Sequence, residues 1–179
     1  SDDWELRSDE ADIYSVSLGS GALTQITDLP GAERSPAVSP NGELLAISYE
    51  KSRPLAFTPD RIAAVDLLTK DVRILTEAVD GDAANILWRA DGKALYFAFD
   101  ERGERHIKQV MLNKAVSPVA TGLGGTSVGR PYLSGGFHTA SGVIAYTKGG
   151  PDRPADIAIM RRKTPTIITA LNDDLLNYR

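Results

Sequence analysis

SPAVSPNGELLAISYE (Ser35–Glu50) and RIAAVDLLTKDVRILT (Arg61–Thr76) are the stretches whose reading decides the fold. SPAVS, a run of small residues, is closed by Pro40, Asn41 and Gly42. Asn-Gly is the strongest two-residue hairpin signal, because both positions tolerate positive φ. LLAISYE then reads as a second strand and RIAAVDL (Arg61–Leu67) as a third. After a turn at Thr69 and Lys70, VRILT (Val72–Thr76) reads as a fourth. No ten-residue amphipathic stretch free of Gly, Pro or β-branched clusters interrupts the series, so the chain reads as all-β.

The unit recurs. ANILWRADG, ALYFAF, HIKQVML and VSPVAT run from Ala84 to Thr121; RPYLS, VIAYT, DIAIM and TIIT run from Arg130 to Thr169. Ahead of the first complete repeat, DIYSVSL and ALTQIT match its third and fourth strands only. Third-strand isoleucines fall at Ile13, Ile62, Ile107 and Ile157, at intervals of 49, 45 and 50 residues. Short strands repeating every 40 to 50 residues or so are the signature of propeller blades. In LLAISY and ALYFAF both alternating faces are apolar, which predicts sheets covered on both sides. The expected architecture is a partial β-propeller of four-stranded antiparallel blades in a single domain, 1–179. It comprises a half blade (12–27), blades at about 35–76, 84–121 and 130–169, and a junction segment (170–179). Three and a half blades cannot close a ring, so open strand edges are expected to pair with a second copy or to fray.

With 179 residues, 42% of them hydrophobic, the chain can bury a real core. A net charge of -4 argues against a nucleic-acid partner, which needs a clustered basic surface. Arg161, Arg162 and Lys163 are the only dense basic run, and three adjacent charges most often mark a solvated strand end. Without cysteines there are neither disulfides nor thiolate metal sites. No stretch reaches the roughly 18 apolar residues of a membrane helix. SDDWELRSDEAD, at the start, is polar and acidic, unlike a signal peptide. The expected setting is aqueous, in cytoplasm or periplasm, with no membrane contact.

ITDLPGAERSPAVSPNGELLAISYE (Ile26–Glu50) and LWRADGKALYFAFDERGERHI (Leu87–Ile107) resemble the propeller repeats of the prolyl oligopeptidase family, in its bacterial dipeptidyl-peptidase and acylaminoacyl-peptidase branch. Ser35, Pro36, Ser39, Pro40, Asn41 and Gly42 match the family's recurring phrase; Ala90, Asp91 and Gly92 match its turn; Ser141 and Gly142 keep the turn without the proline. The tail TIITALNDDLLNYR, through Leu171, Asn172, Asp173, Leu175 and Leu176, looks like the handover from such a propeller to a hydrolase domain. The repeat phrase is shared with the periplasmic Tol-system propeller, whereas the Asn-Asp-x-Leu-Leu ending and the DERG loop (Asp100–Gly103) favour the peptidase branch. The resemblance implies a propeller that caps an α/β-hydrolase domain and admits short peptides. The Ser, Asp, His triad would belong to that domain, so neither catalytic residues nor a cofactor are expected in this chain.

Gly125, Thr126, Ser127, Val128 and Gly129 satisfy G-x-S-x-G, the nucleophile-elbow pattern. An elbow needs a strand before the serine and a helix after it. TGLG reads as a loop, Arg130 and Pro131 open a strand, and His138 precedes Asp152 and Asp156, against the elbow's triad order. The motif therefore reads as an inter-blade loop. His106, opening a third strand, and His138, in an extended turn, read as surface residues. Asp80 and Asp82 lack the further ligands of a calcium loop. Asp173 and Asp174 are adjacent and cannot flank one glycosidic bond. Trp88 reads as core. Arg34 and Arg130 each precede a first strand, the one nearest a propeller channel; there they would greet a peptide carboxylate, or more plainly close a blade-end salt bridge.

Three functions stay open on these residues. One is a non-catalytic propeller segment gating or orienting peptides for a hydrolase domain. The second is a Tol-type platform for protein interaction. The third, an enzyme using the channel itself, ranks last because SPAVS, ANILW and RPYLS supply almost no carboxylates or aromatics.

Overall fold

Turn chemistry cuts the chain into fourteen strands among the residues that the computed structural model describes: 10–51, 58–125, 134–150, 153–161, 163–171 and 173. β1 (Tyr14–Val16) and β2 (Leu23–Gln25) form a hairpin. β3 (Gly31–Val38), β4 (Leu44–Lys51), β5 (Arg61–Asp66) and β6 (Val72–Ile74) form an antiparallel sheet in chain order. β7 (Ala83–Trp88), β8 (Ala94–Glu101), β9 (Glu104–Met111) and β10 (Val116–Leu123) make a second meander. β11 (Phe137–Ala140), β12 (Val143–Gly150), β13 (Arg153–Met160) and β14 (Pro165–Ile167) make a third. The last two meanders join where Leu123 of β10 lies opposite Lys148 of β12.

The chain divides into two compact units, Ser1–Ile86 and Leu87–Arg179. In the first, Leu45, Ile47, Tyr49, Ala63 and Val65 form a buried cluster against which Ile13, Ile26 and Leu29 pack. In the second, the core runs from Ala98, Ile107 and Leu123 through Phe137, Ile144 and Tyr146 to Met160. LLAISY and ALYFAF, in β4 and β8, are buried on both faces, as their sequence implied: Leu95, Phe97 and Phe99 on one side of β8, Ala94 and Ala98 on the other.

The evenly spaced turns differ in kind. At Asn41 the chain makes no two-residue hairpin. Ser39 N–H bonds Leu44 O (2.8 Å), Gly42 N–H bonds Ser39 O (2.9 Å), and of Asn41 and Gly42 only the glycine has positive φ (77°). The Asn41 side chain spans this wider loop, its Oδ1 accepting from the Ser39 hydroxyl (2.7 Å) and from Glu43 N–H (3.3 Å). Arg89–Ala94 repeats the geometry: Asp91 accepts from Lys93 N–H, and the Arg89 guanidinium holds its carboxyl down to about 2. True two-residue turns, with both residues at positive φ, occur at Ser141-Gly142 (49° and 74°) and at Arg102-Gly103 (53° and 82°). The latter is the DERG loop, braced by a two-pronged Arg105–Asp100 pair (2.7 and 2.8 Å).

Three sequence readings need correction. The first strand of the best repeat begins at Gly31, four residues before Ser35, because a bulge at Ser35 (φ 53°) carries the edge strand past Pro36, which has no N–H to donate. Asn85 (φ 52°), four residues ahead of Arg89 as Ser35 is ahead of Ser39, shows the same left-handed residue. The last repeat holds a strand that its sequence reading left out: Phe137–Ala140 is β11, anchored by buried Phe137 and closed by the Ser141-Gly142 turn, whereas RPYLS lies mostly outside the described residues. TGLG is not all loop, since Thr121–Leu123 ends β10, where Leu123 is buried and faces both Arg105 and Lys148.

One side-chain device recurs at the outer edges. The threonine just past each three-residue fourth strand accepts the amide N–H of the third-strand isoleucine: Ile13 to Thr27 Oγ1 (3.0 Å), Ile62 to Thr76 Oγ1 (2.8 Å), Ile157 to Thr169 Oγ1 (2.8 Å). Where the fourth strand is longer, in β10, Ile107 instead pairs with Ala120. Thr76→Val keeps the shape but leaves the buried Ile62 N–H without an acceptor, a loss of about 2 kcal/mol. The expected drop in melting temperature is about 4–8 °C, read by calorimetry. Thr24→Val, at an exposed position, is expected to change it little.

Candidate functional site

Bulge and register bring charged groups together at one end of the first unit's sheet. Arg34 of β3 lies opposite Ser48 of β4, and Ala32 lies opposite Glu50. Asp60 stands immediately ahead of β5. Its N–H donates to Asp82 Oδ1 (2.9 Å), and its carbonyl accepts from Ala83 N–H (3.0 Å). Arg34, Ser48, Glu50, Asp60 and Asp82 thus share the end of the sheet at which β4 hands over to β5 and β6 to β7.

Arg34 Nη1 meets Glu50 Oε2 at 3.0 Å, with the two side chains 49% and 41% exposed. Such a pair contributes little to stability but fixes where the guanidinium sits. Asp60 is the perturbed group. Burial pushes its carboxyl above the usual carboxylate range, and Asp82 and Glu50 push the same way, against Arg34 and a hydrogen bond from Ser48. Its Oδ1 is buried without a hydrogen-bond partner among the described residues. A half-buried acid among two others holds its proton to higher pH than an exposed one and repels further negative charge, while Arg34 beside it attracts an anionic group.

Of the residues singled out in the sequence, Arg34, Asp82 and, two residues from it, Asp80 fall at or beside this cluster, with Asp80 exposed. Arg130, Ser127, Val128 and Gly129 lie outside the described residues, as do Arg162 and Asp174. Gly125 has a structural reason to be glycine: at φ 85°, a Cβ there would stand 2.5 Å from the Ala155 backbone nitrogen. Trp88 is buried. His138 is exposed but sits on β11 instead of in a turn. His106 is half-buried, with an unpartnered Nδ1, not a surface residue. Asp173 pairs with Arg153, which also pairs with buried Asp156. Asp60 itself was missed by sequence reading. Its signal is long-range, because only the β6–β7 connection brings Asp82 to it.

Among the described residues, no three His, Cys, Asp or Glu side chains are grouped to hold a metal ion, and no helix is long and apolar enough to cross a membrane. No protein-family model matches the chain, and no curated protein matches it significantly. Solved structures do. The acylaminoacyl peptidase of Pyrococcus horikoshii superposes with a TM-score of 0.71 at 17% identity, over 96% of this chain and 24% of its own. The β-propeller domain of the trilobed protease of Pyrococcus furiosus, which has an open velcro topology, gives 0.67 at 18%, over 90% and 44%. TolB of Acinetobacter baumannii gives 0.61 at 24%, over 88% and 37%. The chain therefore spans less than half the length of each of these proteins. At such identities the likeness is one of fold, and the fold is an all-β, partial β-propeller built of antiparallel four-stranded blades.

The sign for Asp60 follows from its raised folded-state value. Just above the ordinary carboxylate value of 3.8 the native state binds more protons than the unfolded chain, so stability falls as pH rises through that window. Asp60→Asn is expected to raise the melting temperature at pH 7 and to lose that advantage at pH 3, where the wild-type carboxyl is already neutral. Paired thermal melts at the two pH values check this.

Proposed function

We propose that the chain is the propeller segment of a serine peptidase of the prolyl oligopeptidase type, where it gates or orients short peptides for a hydrolase domain and carries no nucleophile of its own. The observation that carries this reading is the superposition on the acylaminoacyl peptidase over 96% of this chain. It is joined by the likeness to the trilobed protease's propeller and by the Ser-Pro-x-x-Ser-Pro-Asn-Gly phrase at Ser35–Gly42. Arg34, held by Glu50 at a sheet end and half exposed, is suited to receive a peptide carboxylate there.

A second reading has its own support: the identity to TolB, 24%, is higher than that to either protease. On that reading the same blades are an interaction platform and no hydrolase accompanies them.

The two readings separate in the full-length gene product. The peptidase reading expects a G-x-S-x-G elbow followed by Asp and His within about 250 residues beyond Arg179, the length of a typical α/β domain. It also expects hydrolysis of short chromogenic peptides, abolished by substituting that serine. Arg34→Ala is then expected to raise KM for peptides with a free carboxyl terminus more than for their amides. A full-length product with no such elbow and no hydrolysis refutes it in favour of the platform.

A further inference from the structure

The second unit carries an open groove of about 620 Å³ between the β8–β10 and β12–β13 faces. Tyr96 and Gln109 line one wall; Tyr146, Lys148, Arg161 and Lys163 belong to the other wall and its ends. Among the described residues no carboxylate lines it, in a chain whose net charge is -4. Arg161 and Lys163 make no ion pair or side-chain hydrogen bond to another described residue, and Lys148 Nζ reaches only the Thr121 carbonyl, at 3.5 Å. Asp156, opposite Lys148 on β13, is already taken up by Arg153, the Thr169 hydroxyl and Leu171 N–H.

A second observation concerns the middle of the groove. The Tyr146 side chain is buried, at 2% exposure, and its hydroxyl has no hydrogen-bond partner among the described residues. Burial pushes its pKa up, so it remains a neutral donor at physiological pH. A buried donor left unpaired costs free energy unless something accepts from it. Ile144, Tyr146 and Lys148 alternate onto one face of β12, and Arg161 follows Met160, which pairs with Ile144. The cations therefore flank Tyr146 along the strand, with Lys148 at one end and Arg161 and Lys163 at the other, and Arg161 is five residues, roughly 17 Å at about 3.4 Å per residue, from Lys148.

We propose that this groove binds an extended acidic peptide segment whose carboxylates, four residues apart, meet Lys148 at one end and Arg161 with Lys163 at the other, while Tyr146 donates to an acceptor between them. Side chains at i and i+4 of an extended peptide project to one side, about 14 Å apart, and the long Lys and Arg side chains reach across the remaining distance of about 3 Å. Positive charge at both ends with none of the opposite sign in the lining provides the complementarity that steers and orders such a ligand. The inference rests on the groove alone and holds whether or not a hydrolase domain accompanies the chain.

Fluorescence anisotropy with a labelled, end-blocked peptide Glu-Ser-Val-Ser-Glu and its Gln-Ser-Val-Ser-Gln counterpart tests it on the full chain. The acidic peptide is expected to bind about tenfold tighter or better, and more weakly as salt rises. Lys148→Glu, and separately Arg161→Glu with Lys163→Glu, are each expected to weaken it about tenfold; the last two substitutions are exposed and leave the fold unchanged. Tyr146→Phe is expected to weaken binding several-fold without lowering the melting temperature, since it removes an unpaired hydroxyl and keeps the ring. Equal binding of the two peptides, no saturation up to millimolar peptide, or an unchanged affinity in the Arg161→Glu, Lys163→Glu protein overturns the proposal. So does displacement of the peptide by inorganic phosphate at concentrations too low to act by screening, which would mark a small-anion site instead.

Discussion

Three hydroxyl-to-amide bonds do more for this fold than their number suggests. β2, β6 and β14 are each three residues long, too short for a ladder alone to secure an outer strand. The threonine beyond each of them extends the pairing by one bond, to the amide of the isoleucine on the third strand. That isoleucine packs into or beside the core: Ile62 is fully buried, and Ile13 lies against the Leu45–Val65 cluster. A single threonine thus ties an otherwise loose edge to the apolar interior. Two of the three hydroxyls in turn donate a hydrogen bond, Thr27 to Glu33 and Thr169 to Asp156. Those acids are buried, and each also accepts a backbone N–H from the connection that follows, from Leu29 and from Leu171. Sheet edge, core and connecting loop are coupled by one polar chain at each of these two places.

This coupling explains what could be read from the sequence and what could not. The Thr-ended runs, the third-strand isoleucines and the doubly apolar second strands are local patterns, each set by burial and strand period, and they marked out the blades. The turns were recognised by position but not by type. Asn41 and Asp91 sit before glycine as hairpin residues do, yet their side chains bond across the loop and open it by two residues, a preference that depends on Ser39 and Arg89 as partners. The bulge at Ser35 and the left-handed Asn85 leave no clear mark in composition, because a left-handed residue inside a strand is imposed by pairing with its neighbour. β11 was missed because four residues without an apolar run gain their identity only from β12 beside them.

Site residues were less legible still. Arg34 was noticed for its place before a first strand, and its partner Glu50 follows from the pairing of β3 with β4. Asp60 carries no motif. It becomes unusual only because Asp82, across the β6–β7 connection, takes its amide while burial removes its water. Arg161 and Lys163, read as a solvated strand end, are indeed exposed. What the linear sequence does not display is that Lys148, thirteen residues earlier, and buried Tyr146 line the same groove.

Fold and function part company at this level. The features shared with propellers of two peptidases and of TolB are those demanded by strand pairing, turn closure and burial, and any protein stacking such blades must meet them. At identities of 17 to 24% over nearly the whole chain, the likeness is one of frame. The discriminating information therefore lies in side chains the frame does not need: the acids and arginine at one end of the first unit's sheet, and the unpaired cations beside a buried, partnerless phenol in the second. Evolution can place such groups only at a cost, since an acid beside two others and an unsatisfied buried hydroxyl both weaken a fold. Groups carried at that cost, on a frame that would be more stable without them, are where this chain's chemistry is to be sought.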